Sequence, residues 1–176
     1  MFRRSLLAAA VLVITAVLSP AAHASQPVPA AIKVPAGNKQ FLSAHAIGVQ
    51  IYACGATGWT FVAPRANLYD RRGRLIITHF AGPTWQAKDA SKVVGKLAAS
   101  TPGDATAIPR LLLSAVSTTP GALGDTTFIQ RVNTTGGLAP APATCTAAAV
   151  GTQAEVPYTA DYHFWKAKGC SRNEHD

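Results

Sequence analysis

Acidic residues are scarce: eight Asp and Glu stand against sixteen Lys and Arg in 176 residues, a formal charge of +8. So few carboxylates make a paired-carboxylate glycosidase hard to assemble. Asp89, Glu155 and Asp161 are the ones near patterned segments, and each has a ready role in a turn or on a wet strand face. Cysteine is rarer still: Cys54, Cys145 and Cys170 form no Cys-x-x-Cys and no Cys/His spacing, so no zinc site is expected on them. No Gly-x-Ser-x-Gly elbow, no Gly-x-Gly-x-x-Gly after a strand and no Walker loop occurs, which removes the usual serine hydrolase signature and nucleotide chemistry; no cofactor is called for. Beyond Leu18 no apolar run approaches the roughly 20 residues of a spanning helix, so no membrane anchor is expected. A basic helix, an arginine-aromatic sheet motif and finger spacing are all missing, and nucleic acid is excluded as a partner.

What is present begins with Arg3 and Arg4, an apolar run from Leu6 to Leu18 and a small-x-small site at Ala22-His23-Ala24. Residues 1–24 read as a secretory signal peptide, with ordinary Sec export favoured over the twin-arginine route that Arg3-Arg4 grazes. Ser25 follows the cleavage point, where a lipoprotein would need cysteine. The expected location is extracellular or periplasmic, an oxidising setting in which Cys54 pairs with Cys145, both in the patterned part of the chain, and Cys170 is the spare in the tail. The basic clusters Arg71-Arg72-Gly73-Arg74 and Lys88, Lys92, Lys96 fall at expected turns and strand edges. There they solubilise the fold and discourage edge pairing, although an anionic polymer would also suit them.

Residues 25–33 form a proline-punctuated, extended strap, 34–166 one β-domain and 167–176 a polar tail. Within the domain, Ile47, Val49 and Ile51 alternate with Gln50, Tyr52 and Cys54, the period of a strand with two distinct faces. Trp59–Ala63 and Ala66–Asp70 continue the pattern around Pro64. Leu75–Phe80 is apolar on both faces, as for a strand between two layers. Gly82-Pro83 makes a corner, and Lys88–Ser91 is the turn of a hairpin whose arms are Trp85–Ala87 and Lys92–Leu97. Val156, Tyr158, Ala160, Tyr162 and Phe164 share one face of the last strand. About eight short strands without a long amphipathic helix predict an all-β antiparallel sandwich or barrel with long Gly/Pro-rich loops.

The ordered set Gly48-Val-Gln-Ile-Tyr-x-Cys54, His79-x-x-Gly82-Pro-Thr-Trp85, Asp89-x-Ser91-x-Val93-x-Gly95, Ile129-Gln-Arg-Val132, Thr135-Gly-Gly137 and Val156-Pro-Tyr158 resembles the DUF3455 family, from about Val34 to Phe164. That resemblance implies a small secreted protein of uncharacterised function. The chain departs from the family pattern at Ala90, where glycine is usual, and at Arg110, where Trp usually follows Ile-Pro. A left-handed conformation at Ala90 would cost about 1–2 kcal/mol.

Two function classes remain. The favoured one is an extracellular binding module for a carbohydrate, cell-wall polymer or other small flat ligand, with His79, Trp85, Asp89, Ser91, Gln130, Arg131 and Tyr158 on a ligand-facing surface. Trp59, Trp85, Tyr52, Tyr158, Tyr162 and Trp165 are candidate platforms for such a ligand, at least half of them expected in the core. The alternative is a small hydrolase with His79 as base, Ser91 as nucleophile and Asp89 as orienter. Metal binding would draw on His45, His79, His163, Asp89 and Asp161, but a structural role for His79 is expected instead. The sequence does not fix an oligomeric state.

Overall fold

In the computed structural model, which describes residues 27–169, the alternation seen at Ile47–Cys54 belongs to a strand of 18 residues, β1 (Asn38–Gly55). It is followed by β2 (Gly58–Tyr69), β3 (Leu75–Phe80), β4 (Thr84–Ala87), β5 (Lys92–Thr101), β6 (Arg110–Thr118), β7 (Thr126–Gly136) and β8 (Gln153–Ala167). Each pairs antiparallel with its neighbour in sequence and β8 closes on β1, so a single sheet forms an eight-stranded up-and-down barrel. The all-β fold is thus the barrel of the two expected architectures. β1, β2 and β8 are longer than the short strands expected, and in β2 Pro64 does not end the strand. It lies beside a bulge at Val62, where Gln50 pairs with Pro64 but Tyr52 pairs with Phe61. A bulge is one of the few strand settings that tolerate proline. The signal peptide reading, Cys170 and most of the tail fall outside the described residues.

Closure needs one set of side chains to fill the lumen, and eight strands leave a space that side chains can fill or that can hold one small ligand. Large and small residues divide that space. Ala44, Ala46 and Gly48 on β1, Ala66 on β2 and Ala160 on β8 make a thin wall, against which Trp85, Tyr162 and Phe164 pack. Gly48 is required where β1 and β2 approach: a Cβ there would collide with the Arg65 carbonyl and with Ala66. Leu75–Phe80 lacks the second layer expected from its apolar character. Ile77 and His79 point into the lumen, while Thr78 is exposed, since a closed sheet encloses only its inner face.

A smaller apolar cluster lies outside the wall. The strap makes one 3-10 turn, Ala30–Ile32, rather than staying extended, and Ile32 is wholly buried against Leu112 and Val132. Gln130 fixes it there by donating from Nε2 to the Ile32 carbonyl at 2.7 Å. Cys54 is bonded to Cys145 with a Cα separation of 5.4 Å, tying the β7–β8 loop to the end of β1. Closing 91 residues contributes about 4–5 kcal/mol in the chain-entropy account.

Candidate functional site

An up-and-down barrel has two ends, and the predicted site residues divide between them. The lower end carries the β2–β3, β4–β5 and β6–β7 connections. The β4–β5 hairpin is present as expected, with Ala87 and Ser91 closing its turn. Asp89 holds that turn and reaches beyond it. Its Oδ1 accepts from the Ser91 hydroxyl at 2.6 Å and the Ser91 amide at 3.0 Å, and its Oδ2 accepts from the Ala122 amide at 2.7 Å. Ser91 Oγ in turn accepts from the Leu123 amide at 3.2 Å. These bonds seat Leu123, wholly buried, as the plug of the lower end. Gly121 lets the plug loop come this close, since a Cβ there would lie 2.5 Å from Asp89 Oδ2. The Ser91 hydroxyl bond, with the Ala122 and Ser91 amides, holds the Asp89 carboxyl below its ordinary range.

His79 faces the lumen on the other side of this plug. Its Nδ1 lies 2.9 Å from the Thr84 carbonyl, which can only accept, so the proton sits on Nδ1. Its ring stacks on Trp85 with centroids 4.2 Å apart and planes 6° from parallel. Burial lowers its pKa to about 3; the Arg131 charge acts in the same direction and the Thr84 bond opposes it. An imidazole that stays neutral down to such acidity is a poor general base near neutral pH. His79 is hydrogen-bonded to Thr84 while Ser91 is bonded to Asp89, so the Ser-His-Asp arrangement weighed for the hydrolase reading is not assembled.

At the upper half the wall is incomplete. β2 pairs with β3 only through Ala66–Tyr69, and β4 pairs with β5 only through Thr84–Gln86. The short β3–β4 hairpin, turning at Gly82-Pro83, therefore leaves a notch between the upper parts of β2 and β5. Phe61 and Val62 on one flank and Leu97 on the other are about half exposed, at 55%, 49% and 57%. The bulge at Val62 brings both consecutive residues, Phe61 and Val62, to the lining.

The notch leads into a cavity of about 390 Å³ to which all eight strands contribute. Its walls are Phe61, Val62 and Pro64 on one side and Leu97, Leu111 and Leu113 on the other. His79, Trp85 and Tyr162 also line it, their rings in mutual edge and stacking contact. Two further polar side chains reach it, Gln50 from β1 and Arg131 from β7. Four buried side-chain nitrogens or oxygens lack a hydrogen-bond partner among the described residues, and two of them, Gln50 Nε2 and Trp85 Nε1, belong to this lining.

Of the ligand-facing set read from sequence, the cavity thus gathers His79, Trp85 and Arg131. Tyr158 is buried in the lumen nearby, its hydroxyl 3.4 Å from that of Tyr162. Asp89 and Ser91 lie at the lower end. Gln130 lies on the outer face under the strap, because consecutive residues of a strand point to opposite faces and Arg131 takes the inward one. Tyr162 is one of the candidate platform aromatics of the sequence reading, whereas Gln50 and the leucines of β6 are not among its ligand-facing residues; the alternation of Gln50 with Ile51 is the available signal. Four of the six candidate platform aromatics, Tyr52, Trp85, Tyr158 and Tyr162, are core residues. On the outer face His45 bonds Asp161 at 2.8 Å and Ser43 bonds His163 at 2.9 Å, both across the β1–β8 pair. Among the described residues no group of three or more His, Cys, Asp or Glu side chains is arranged to hold a metal, and no helix is long and apolar enough to cross a membrane.

The family model described as "Protein of unknown function (DUF3455)" matches residues 35–166. No curated protein and no solved structure matches the chain.

Proposed function

The chain belongs to the DUF3455 family, whose function is unknown, and from its own geometry we propose that it is a secreted binding protein that takes one small, flat, largely apolar molecule into the notch cavity. The cavity carries this reading. Its volume, about 390 Å³, falls within the range of small-molecule sites, and such sites combine apolar walls with a few placed polar groups. Leucines, a proline and aromatic rings supply the walls. Gln50, Arg131, Tyr162 and His79 supply the polar groups. The two unpartnered donors support the same reading, since buried polar groups in native structures nearly always find a partner. The Cys54–Cys145 bond and the leader pattern of residues 1–24 support a place outside the cytoplasm.

A cavity for a flat apolar molecule differs from the exposed aromatic platform that a polysaccharide needs, and its one histidine, His79, is a poor base. Titration with 2-methylnaphthalene, read by tryptophan emission and calorimetry, is expected to show one site per chain. Leu111→Trp fills the lumen from β6 and should abolish that binding while thermal unfolding stays cooperative. No saturable binding to the wild type, or binding unchanged in a folded Leu111→Trp variant, would overturn the proposal. Retention on insoluble cell-wall polysaccharide with no uptake of the aromatic would transfer the function to the outer surface.

A further inference from the structure

Two donors among the lining residues lack an acceptor, and the one charge of the lining is a cation. Gln50 is 3% exposed and Trp85 1%, and Nε2 of the first and Nε1 of the second are donors without an acceptor. Arg131 is the one charged residue of the lining, and among the described residues it is paired with no carboxylate. Its Nε and Nη2 both donate to the Pro109 carbonyl, at 3.1 and 2.8 Å. That carbonyl, in the β5–β6 loop, holds the guanidinium plane in place and engages two of its three nitrogens, but it does not neutralise the charge. The residues that carry these groups, Gln50, Trp85 and Arg131, stand on three separate strands, β1, β4 and β7, and line a space whose walls are mostly apolar.

Arg131 is half-buried at the edge of this apolar space, and a guanidinium fits a carboxylate better than it fits a single oxygen. We infer that the molecule taken by the cavity is an aryl or similarly flat monocarboxylate, its ring against Trp85 and the leucine wall and its carboxylate accepting from Arg131 and Gln50. This deepens the binding role proposed above and rests on it. The apolar part supplies contact area that any flat molecule would supply. The carboxylate supplies discrimination, because a ligand lacking it leaves the Arg131 charge without an anion.

The test compares naphthalene-2-carboxylate with 2-methylnaphthalene, which differ in the acidic group alone, at constant pH near 7.5 and constant salt. The expected result is an affinity at least tenfold higher for the carboxylate. Arg131→Met keeps much of the stem volume and removes the charge; it should erase that preference while changing the affinity for 2-methylnaphthalene less than threefold. If Arg131→Met does not fold, Gln50→Glu serves instead. Its carboxylate occupies the Arg131 partner position from within the protein, so the acid should lose its advantage while the neutral ring still binds. Equal binding of the two probes to the wild type, or a preference that survives in the folded variant used, overturns the carboxylate assignment and leaves the cavity reading standing. Failure of both probes to bind overturns the cavity reading and this inference with it.

Discussion

The two ends of the barrel use polar residues in opposite ways. At the lower end Asp89, Ser91 and the plug-loop amides form a closed set, in which each carboxylate oxygen and the serine hydroxyl find partners within 3.2 Å. At the upper end Gln50 and Trp85 bury donors without acceptors, and Arg131 has no anion. Both ends face the same lumen and lie on the same strands, so the difference does not come from the fold. A satisfied polar cluster holds a structure together, whereas an unsatisfied one in a roomy cavity is a stability cost that a ligand removes. The motif that looks most like a catalytic set in the sequence, Asp89 with Ser91, is therefore the structural end, and the plainer Gln50 belongs to the ligand end.

Acid should separate the two ends, with the largest effect at the upper one. His79 is neutral when folded, with a pKa lowered from 6.5 to about 3 by burial. Below pH 6.5 the unfolded chain takes up a proton that the folded chain refuses, so stability falls as pH drops from 6.5 to about 3. The full loss is about 5 kcal/mol at 1.36 kcal/mol per unit. Urea unfolding followed across that range should show the decline. His79→Gln keeps a donor for the Thr84 carbonyl but does not titrate, and it should remove most of the decline between pH 6.5 and 4, leaving the part due to His163, whose pKa burial also lowers. The lower end responds later. The Asp89 carboxylate stabilises the plug above its unfolded pKa of 3.8, and that contribution goes as pH falls through its lower folded value. Asp89→Asn should thus change the profile below pH 4 and leave the higher segment alone. A profile flat from pH 7 to 4 in the wild type would mean that His79 is not held neutral by burial.

A pair of substitutions sharpens the comparison at smaller scale. Ser91→Ala removes a hydroxyl that is 1% exposed and leaves the buried Leu123 amide without its acceptor, so it should cost about 1–3 kcal/mol. Gln50→Leu removes a donor that has no partner and replaces it with an apolar group of similar size. The same reasoning makes it neutral or stabilising, within about 1 kcal/mol. Equal destabilisation by the two, measured from urea midpoints, would mean that the upper end is satisfied as fully as the lower.

The fold was legible because barrel strands repeat with period two, and the last strand even showed its inner face, with Tyr158, Ala160, Tyr162 and Phe164 all buried. Along β1 the same period was visible but not its sense. Ile47 is 55% exposed, while Gln50, Tyr52 and Cys54 line the inside, contrary to what hydrophobicity alone would assign. A lumen that takes one polar side chain, Gln50, among mostly apolar walls inverts the pattern locally. The notch was hidden for a different reason: it arises from where β3 and β4 stop, which depends on pairing length and not on residue type. Separation of Asp89 and Ser91 from His79 follows from the same geometry. His79 sits at the upper part of β3 and the hairpin turn at the lower end, yet only nine residues lie between His79 and Asp89 in sequence.

The smallest expected effect tests the turn that holds the lower end. Ala90 takes φ of +67°, a left-handed conformation that Cβ disfavours, in a turn where the Ala90 amide donates to the Ala87 carbonyl at 3.0 Å. Ala90→Gly should release about 1–2 kcal/mol of left-handed strain, against which the more mobile glycine in the unfolded chain sets about 0.4–1 kcal/mol. The net expectation is a gain of about 1 kcal/mol, or 2–4 °C in melting temperature for a chain of this size. Because Ala90 lies between Asp89 and Ser91 and away from the notch, the gain should appear with no change in the affinity for naphthalene-2-carboxylate. A stabilised variant whose affinity also changed would show that the plug and the cavity are coupled through the lumen, and the two ends would then have to be treated as one site.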